Sequence, residues 1–269
     1  MSVSLQLALR YVFSRRRAMA MSLVGIVFGI SFFIVTQAQT SGFQVFFIKT
    51  ILGTNGAIRI SDRFQDMEGT VSKVSDGSEI KFIFKSRKDS RYVEGIDYPQ
   101  KLRHALASFR SVTGVSEIIE VNGIIDSASR SHSVQMHGLK IEDHIMVSDI
   151  ENQLLHGSIE IFKNNPMGIM VGHRIAERLG LQIGDRVNLI GGVDNFRLRV
   201  TGIFETGVSE IDKKRVYMHL PAVRSFSGKR FGGSVFQLGL SDPEIAPKIA
   251  SQIQQTLGYR TVSWQDREK

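Results

Sequence analysis

The sequence predicts an α+β protein: one N-terminal transmembrane helix, then a split ferredoxin-like domain that carries a strand-rich insertion. Three observations support this prediction. Residues 18–48 contain no formal charge, and this run is longer than the roughly 20 residues that a bilayer core requires. Two strand–helix–strand patterns lie far apart, within residues 80–121 and 235–264. The segment between these patterns is itself rich in predicted strands.

The basic charge of the chain is concentrated near its N-terminus. The formal net charge is +8, and residues 1–17 hold four arginines and no acid. Half of the excess charge therefore lies beside the apolar run, where a membrane accounts for it. The remaining sequence shows no basic face of the kind that nucleic-acid binding requires. The chain has no cysteine, which excludes disulfides, zinc thiolate sites and thiol nucleophiles.

Residues 18–48 are predicted to form a transmembrane helix that emerges as an amphipathic stalk. The most apolar part runs from Met19 to Val35, and apolar residues return at 43–48 after a polar stretch. The preceding arginines predict a cytoplasmic N-terminus, and residues 2–13 predict a short interfacial helix. The alternative is a cleaved export signal with a cleavage site at Thr36-Gln37-Ala38, although the apolar run exceeds the usual length of such signals.

Two sets of residues on this helix are candidate contact sites. Ser22, Gly25 and Gly29 are small residues at the spacing that lets a second membrane helix approach closely. Glycine is also common in membrane helices that have no such role. On the stalk, three phenylalanines are candidates for contact with an acyl chain or a partner helix, and plain helix packing is the alternative. These phenylalanines are Phe43, Phe46 and Phe47.

The first strand–helix–strand pattern begins with the strand Ile80–Phe84. A helix around Tyr98–Phe109 follows, with its apolar residues on one face, and then the strand Val115–Val121. This order is one half of a split α+β domain.

The second pattern has a helix between the strands Val235–Leu240 and Tyr259–Trp264. Ser241 or Asp242 can cap this helix, and Gly258 ends it. The two patterns together predict one ferredoxin-like domain, interrupted by the insertion.

The insertion contains the most legible local pattern, in residues 169–201. A strand leads into a short helix that Gly180 closes, and Leu181 is predicted to pack back on it. A turn at Gly184-Asp185 precedes the strand Arg186–Ile190, and Gly191–Asn195 forms a short hairpin loop. On the helix, Ile175, Ala176 and Leu179 are predicted to face inward. On the return strand, Phe196, Leu198 and Val200 alternate with Arg197, Arg199 and Thr201.

No arrangement of residues predicts catalysis or a bound cofactor. Ser227–Arg230 is the nearest approach to a phosphate-binding loop, and it lacks the upstream glycine and the Ser/Thr after the lysine. Carboxylates at 205, 210 and 212 cluster, but a solvated loop is the favoured interpretation. The seven histidines form no H-E-x-x-H motif. Five of them are candidates for a metal site, but surface or turn positions are expected for these five: His132, His137, His144, His156 and His173. We therefore expect no enzyme activity and assign no catalytic, cofactor-binding or metal-binding residue.

Five motifs occur in order along residues 5–265. They are LALRYVFSRRR before the apolar run, ILGTNGAIRIS (51–61), VEGIDYP (93–99), IMVGHRIAERLGLQIGDRVNLI (169–190) and RVTGIFETGVSEIDKKRVYMHLPAVRSF (199–226). Together they resemble the MacB-type (FtsX-like) ABC transporter permeases, and especially the lipoprotein-releasing LolC/LolE branch. This resemblance implies a MacB-like periplasmic domain made of a porter-like part and a strand-rich Sabre-like part.

The resemblance divides the chain into four parts. These are a cytoplasmic or interfacial segment (1–17), a transmembrane helix and stalk (18–48), a porter-like part (49–111 and 227–269) and a Sabre-like part (112–226).

The resemblance also implies partners in the inner membrane. ATP and Mg²⁺ would bind a separate cytoplasmic ATPase subunit, so that no cofactor is expected in this chain. A second permease subunit, identical or related, would complete a dimer that handles a lipoprotein or another amphiphile. Motion would pass from the ATPase to the periplasmic domain through the stalk. No nucleic acid is expected as a partner.

One departure from the family pattern concerns the loop Gly191–Asn195. Subunits of the family that recruit a carrier protein have a longer, proline-containing hook at this place, so recruitment of a carrier by this chain is not expected. In the family, three more helices follow the periplasmic domain, and the chain is therefore expected to be a fragment of a longer permease. A single-span, membrane-anchored binding or signalling module that is complete at residue 269 is the alternative.

Overall fold

The computed structural model describes residues 16–63, 96, 98–127, 130–228 and 234–267. The predicted interfacial helix at 2–13 and the predicted strand Ile80–Phe84 lie outside these residues. The contacts divide the chain into two units, Met1–Lys49 and Thr50–Lys269.

The long apolar segment forms the helix α1, Arg16–Asn55. Within the described residues it is the one helix long and apolar enough to cross a membrane, from Met19 to Asn55. The polar stretch does not interrupt it, and within this stretch the hydroxyls of Thr36 and Thr40 each donate to the carbonyl one turn earlier, at 2.9 Å. At roughly 1.5 Å per residue the helix is about 60 Å long. It therefore exceeds the predicted segment 18–48 and ends inside the folded unit.

The folded unit is built on one sheet of the ten strands that the structure describes. Its order is β10-β1-β9-β2-β3-β8-β5-β7-β4, and β6 pairs with β2 and β7. The strands are β1 Ile58–Arg63, β2 Val112–Ser127, β3 Arg130–Leu139, β4 Leu154–Gly157, β5 Gly168–Gly172, β6 Arg186–Ile190, β7 Phe196–Phe204, β8 Arg215–His219, β9 Ser234–Leu240 and β10 Tyr259–Ser263.

Short helices connect and cover these strands. They are α2 Pro99–Ala107, α3 Ile141–Ile145, α4 Ile150–Gln153, α5 Ile159–Lys163, α6 His173–Leu179, α7 Ser209–Asp212, α8 Leu220–Ser227, α9 Ala246–Leu257 and α10 Trp264–Arg267. A 3₁₀ turn, Pro243–Ile245, precedes α9.

The two faces of the sheet carry separate hydrophobic clusters. Side chains of β2 and β5 alternate between them: Ile119 and Val171 belong to one cluster, and Ile118 and Met170 to the other. The helices α6 and α8 contribute to the first cluster, and α3, α4 and α5 to the second. Successive side chains of a strand therefore point into opposite hydrophobic clusters, as is expected of a sheet that is covered on both faces.

Strand β2 joins the predicted porter-like and Sabre-like parts. It pairs antiparallel with β9 over Val112–Ile119 and with β3 over Ile118–Ser127. The predicted strand Val115–Val121 is therefore the middle of a strand of 16 residues. The predicted boundary at residue 112 stays a prediction.

The predicted helix ends are confirmed. Gly180 closes α6 with φ of 67°, and the Leu181 N–H donates to the Ala176 carbonyl at 2.9 Å, as in a Schellman motif. Gly258 closes α9 as predicted. Asp242 accepts a hydrogen bond from the Glu244 N–H at 3.0 Å, but it caps the 3₁₀ turn Pro243–Ile245, and α9 itself begins at Ala246. The inward residues of α6 are buried as predicted.

Two local predictions are wrong. Trp264 begins the helix α10 instead of ending the last strand. Thr201 does not alternate outward with Arg197 and Arg199: it is buried, and its hydroxyl donates to the Ile169 carbonyl at 2.9 Å. β7 is covered on both faces at this point, so the simple alternation of its outer end stops.

Candidate functional site

The predicted helix-contact residues Ser22, Gly25 and Gly29 lie on an exposed stretch of α1. A Cβ atom added to either glycine would meet no atom within 4 Å. The backbone there is open to a second helix, and the packing role of the three residues stays a prediction.

The three stalk phenylalanines are exposed as well. The rings of Phe43 and Phe47 stack with their centroids 5.9 Å apart, as residues one helical turn apart can. Phe46 leaves 56% of its surface exposed. Their contact with cargo or a partner helix stays a prediction.

The predicted clusters of titratable residues separate in the fold. Asp212 is buried and accepts hydrogen bonds from the backbone N–H and the hydroxyl of Thr206, so the predicted solvated loop is wrong for this residue. Glu210 is exposed beside Lys213. Across the described ranges, no three His, Asp or Glu side chains are grouped as metal ligands would be. His156 and His173 line an open groove of about 520 Å³.

The structure instead draws attention to the C-terminal end of α1, residues 50–55, which packs inside the folded unit. The Gly53 carbonyl accepts a hydrogen bond from the Asp149 N–H at 2.7 Å and another from Gln153 Nε2 at 3.3 Å. Thr50 and Thr54 are buried, and the Thr54 hydroxyl donates to the Thr50 carbonyl at 2.8 Å. We call this arrangement the helix seat.

Arg215, at the start of β8, completes the helix seat from the sheet. Its Nη2 donates to Asn55 Oδ1 at 2.9 Å, and its Nη1 donates to the Thr54 carbonyl at 3.3 Å. Nη1 also lies 3.4 Å from the hydroxyl of Tyr217. The last carbonyls of a helix have no partner within the helix and carry partial negative charge, so a guanidinium at this place stabilises them.

The corner between α3 and α4 forms another side of the helix seat. It approaches the sheet so closely that a Cβ at Gly114 would lie 2.6 Å from the Met146 carbonyl oxygen, and one at Gly239 would lie 2.8 Å from it. Gly56 has φ of 65° and faces Val147 in the same corner. These glycines let the corner reach the end of α1.

The sheet face below the helix seat is polar and buried. Arg59 and Glu120 form a bidentate ion pair, with N–O distances of 2.8 and 2.7 Å. His137 lies opposite Glu120 on β3, with 3.8 Å between its Nδ1 and the carboxylate. His144 Nδ1 lies 3.1 Å from the Ser116 hydroxyl. Both histidines are buried, so the predicted surface or turn positions are wrong for them.

Both histidines are uncharged in this environment. Burial lowers the pKa of His144 to about 3, and the charge of Arg215 acts in the same direction. The pKa of His137 also lies well below its ordinary value, and burial is the largest cause. The charges of Arg215, Arg59 and His144 lower this pKa further. The polar face therefore holds neutral imidazoles beside two guanidinium groups.

We expect acid to destabilise the folded unit through these histidines. The unfolded chain takes up protons as the pH falls through 6.5, whereas the folded chain does not until the pH is far lower. The free energy of unfolding should therefore fall below pH 6.5. For His144 the expected loss at pH 5.5 is on the order of 1 kcal/mol, and His137 adds a loss of the same sign.

This dependence is measurable by urea unfolding at pH 7.5 and pH 5.5, followed by the fluorescence of Trp264, the one tryptophan of the chain. His144→Gln should reduce the difference between the two pH values, and His104→Gln, which alters an exposed residue of α2, should not. An unchanged difference in His144→Gln would contradict the expectation.

Sequence reasoning missed the helix seat. On β8, every second residue carries a polar group, and these residues share one face of the strand: Arg215, Tyr217 and His219. This alternation was the sequence pattern from which the helix seat could have been predicted. The partners of Arg215 lie about 160 residues earlier in the chain, so no local spacing reveals the contact.

A comparison with protein families identifies the folded unit. A family model described as the MacB-like periplasmic core domain matches residues 19–256. The chain belongs to this family. The MacB-like domain is the periplasmic domain of a family of inner-membrane permeases.

Curated relatives of this MacB-like chain carry the description "Lipoprotein-releasing system transmembrane protein LolC". The protein of Xylella fastidiosa strain Temecula1 is 25% identical over 268 residues, covering 93% of this chain and 57% of the relative. That of Neisseria meningitidis serogroup B strain MC58 is 22% identical and covers 94% of this chain and 58% of the relative. The chain therefore spans somewhat more than half the length of these relatives.

Among solved structures, the periplasmic region of MacB from Actinobacillus actinomycetemcomitans has the same fold. The superposition has a TM-score of 0.50 at 12% identity, and it covers 81% of this chain and 92% of the MacB chain. The predicted fold class and family are confirmed.

Proposed function

We propose that the chain is the permease subunit of an ABC transporter of the lipoprotein-releasing type. In this proposal a separate subunit hydrolyses ATP in the cytoplasm, and α1 passes the resulting motion to the MacB-like domain. The cargo is a lipoprotein or a similar amphiphile. The LolC relatives support this class of cargo, and the membrane-length helix supports the location.

The helix seat is the observation that carries the coupling role. A helix can displace a folded domain only if its end is fixed to that domain, and a flexible linker would lose the motion. Here the last turn of α1 is bonded to α4 through Gln153, to the corner between α3 and α4 through Asp149, and to β8 through Arg215. Hydrogen bonds to three elements of the domain allow a displacement of α1 to move the domain with it.

The orientation follows from charge in this proposal. Arg15, Arg16 and Arg17 precede the apolar run, and basic residues favour the cytoplasmic side. The N-terminus then lies in the cytoplasm and residues 50–269 lie in the periplasm. Exposed Gly25 and Gly29 would face the second permease subunit.

The short hairpin between β6 and β7 supports a subunit that does not recruit a carrier. The loop has five residues, Gly191–Asn195, and the Val193 N–H donates to the Phe226 carbonyl at 2.9 Å. The loop thus lies against α8, whereas a recruiting hook has to project.

Depletion of the protein in its source cells tests the proposed function. Lipoproteins labelled with radioactive palmitate should accumulate in the inner membrane, and the plasmid-borne gene should restore their release. A normal distribution of lipoproteins after depletion would overturn the proposed cargo.

The mass and the membrane association of the native protein distinguish the permease subunit from a secreted protein and from a membrane-anchored module. An antibody to residues 98–227 should detect a membrane-bound species well above 30.1 kDa, since the relatives are longer. A soluble species a few kDa smaller would show that residues 14–40 are a cleaved signal. A membrane-bound species of 30.1 kDa would favour an anchored module.

A further inference from the structure

We propose that Arg215 is the positioning residue that holds the end of α1 in the helix seat and so couples the helix to the periplasmic domain. This inference rests on the proposed function. It assigns the transmission of motion to one side chain, which neither family membership nor the relatives indicate.

The chemistry of the contact favours Arg215 over the other groups of the helix seat. Its planar guanidinium reaches two different oxygens at once, the Thr54 carbonyl and Asn55 Oδ1. Hydrogen bonds from a charged donor are about twice as strong as neutral ones. Gln153 offers neutral contacts of 3.3 and 3.4 Å, and Asp149 contributes its backbone N–H.

The partial negative charge at the C-terminal end of α1 also balances the positive charge of Arg215. Of the carboxylates that the structure describes, none forms an ion pair with this guanidinium, whereas Arg59 and Arg224 each have one. The group is half-buried. If α1 left its seat, the arginine would keep a partly desolvated charge without the carbonyl dipoles that balance it, and such a state is costly. The contact with Arg215 thus favours the seated position of the helix end.

The support behind Arg215 is rigid. Strand β8 lies inside the sheet, parallel to β3 and antiparallel to β5. Two residues along β8, Tyr217 is fully buried, and its ring lies 4.8 Å from Phe204 and 5.6 Å from His144 between centroids. A pull on the end of α1 therefore reaches the centre of the sheet through Arg215, in addition to the backbone that continues from Asn55 into β1.

Replacing Arg215 in the complete transporter tests this role. In Arg215→Gln we expect the release of palmitate-labelled lipoprotein per ATP hydrolysed to fall about ten-fold or more, because charged hydrogen bonds bias a two-state equilibrium by that factor. The amount of protein in the membrane should stay unchanged. In Arg215→Lys the release per ATP hydrolysed should lie between that of the unmodified transporter and that of Arg215→Gln, since one ammonium group cannot bind both oxygens as the guanidinium does. Arg199→Gln, an exposed arginine of β7, is the matched control.

A covalent lock distinguishes positioning from general damage. A Cβ at Gly53 would lie 3.1 Å from the Cβ of Asp149, close to the roughly 3.5–4.5 Å of disulfides, and the chain has no other cysteine. The pair Gly53→Cys and Asp149→Cys, once oxidised, should hold α1 in its seat without Arg215. It should restore release in Arg215→Gln, and reduction should abolish the rescue.

The outcomes distinguish a failure of the role of Arg215 from a failure of the proposed function. Normal release in Arg215→Gln, or an oxidised lock that restores nothing, would overturn the role of Arg215. If the unmodified transporter releases no lipoprotein, the proposed function fails, and the rate of disulfide formation still tests the residue. That rate should be several-fold lower with Arg215→Gln than with Arg215, and equal rates would overturn the proposal.

Discussion

Replacing Tyr217 by alanine is expected to lower the free energy of unfolding of the folded unit by about 3–5 kcal/mol, as aromatic-to-alanine changes in cores do. Tyr217 is 1% exposed and lies among Ile118, Phe162 and Phe204 in the cluster below the helix seat. The substitution leaves a cavity in the middle of the sheet, and it also removes the hydroxyl near Arg215. Trp264 fluorescence during guanidinium unfolding of the detergent-solubilised chain measures the loss, because α1 contains no tryptophan.

Two further variants separate the ring of Tyr217 from its hydroxyl. Tyr217→Phe keeps the ring and should cost about 1 kcal/mol or less, since the lost contact is a long hydrogen bond of 3.4 Å. Tyr98→Ala removes a ring that is 65% exposed and should change the stability by less than about 0.5 kcal/mol. Equal losses in Tyr217→Ala and Tyr98→Ala would refute the assigned packing.

Replacing Glu117 by alanine is expected to destabilise the folded unit by about 3 kcal/mol, at the lower end of the range for a broken buried ion pair. The carboxylate Oε1 accepts from Arg224 Nη2 and from the Ser234 hydroxyl, both at 2.7 Å. The side chain of Glu117 is 6% exposed and that of Arg224 is 22% exposed. The variant therefore removes the carboxylate that accepts from both Arg224 and Ser234 where β2, α8 and β9 meet.

An exposed ion pair provides the matched control for Glu117. Glu210 lies 3.5 Å from Lys213 and 4.0 Å from Lys214, and its side chain is 72% exposed. Glu210→Ala should cost less than about 0.5 kcal/mol, because solvent screens such pairs. The same unfolding measurement applies to both variants. A loss in Glu117→Ala as small as that in Glu210→Ala would show that the cluster adds no stability.

The sequence by itself determined the features that depend on neighbouring residues. The charge-free run predicted α1, since about 20 apolar residues are enough to cross a bilayer. Gly180 and Gly258 predicted helix ends, because only a residue without Cβ readily adopts positive φ there. The alternation of Phe196, Leu198 and Val200 predicted one buried face of β7. Each of these patterns is decided within one turn of helix or a few residues of strand.

The tertiary structure decided which distant segments meet. β2 pairs with β9 more than 100 positions later, so the last strand of the first predicted pattern and the first strand of the second lie in one sheet with the insertion. Arg215 donates to Thr54, 161 residues earlier, and Gln153 donates to Gly53, 100 residues earlier. Thr201 is buried because other elements cover both faces of its strand. The local sequence specifies a side chain and its conformation, but the partner of a buried polar group depends on packing between remote elements, and so the helix seat appears only in the folded chain.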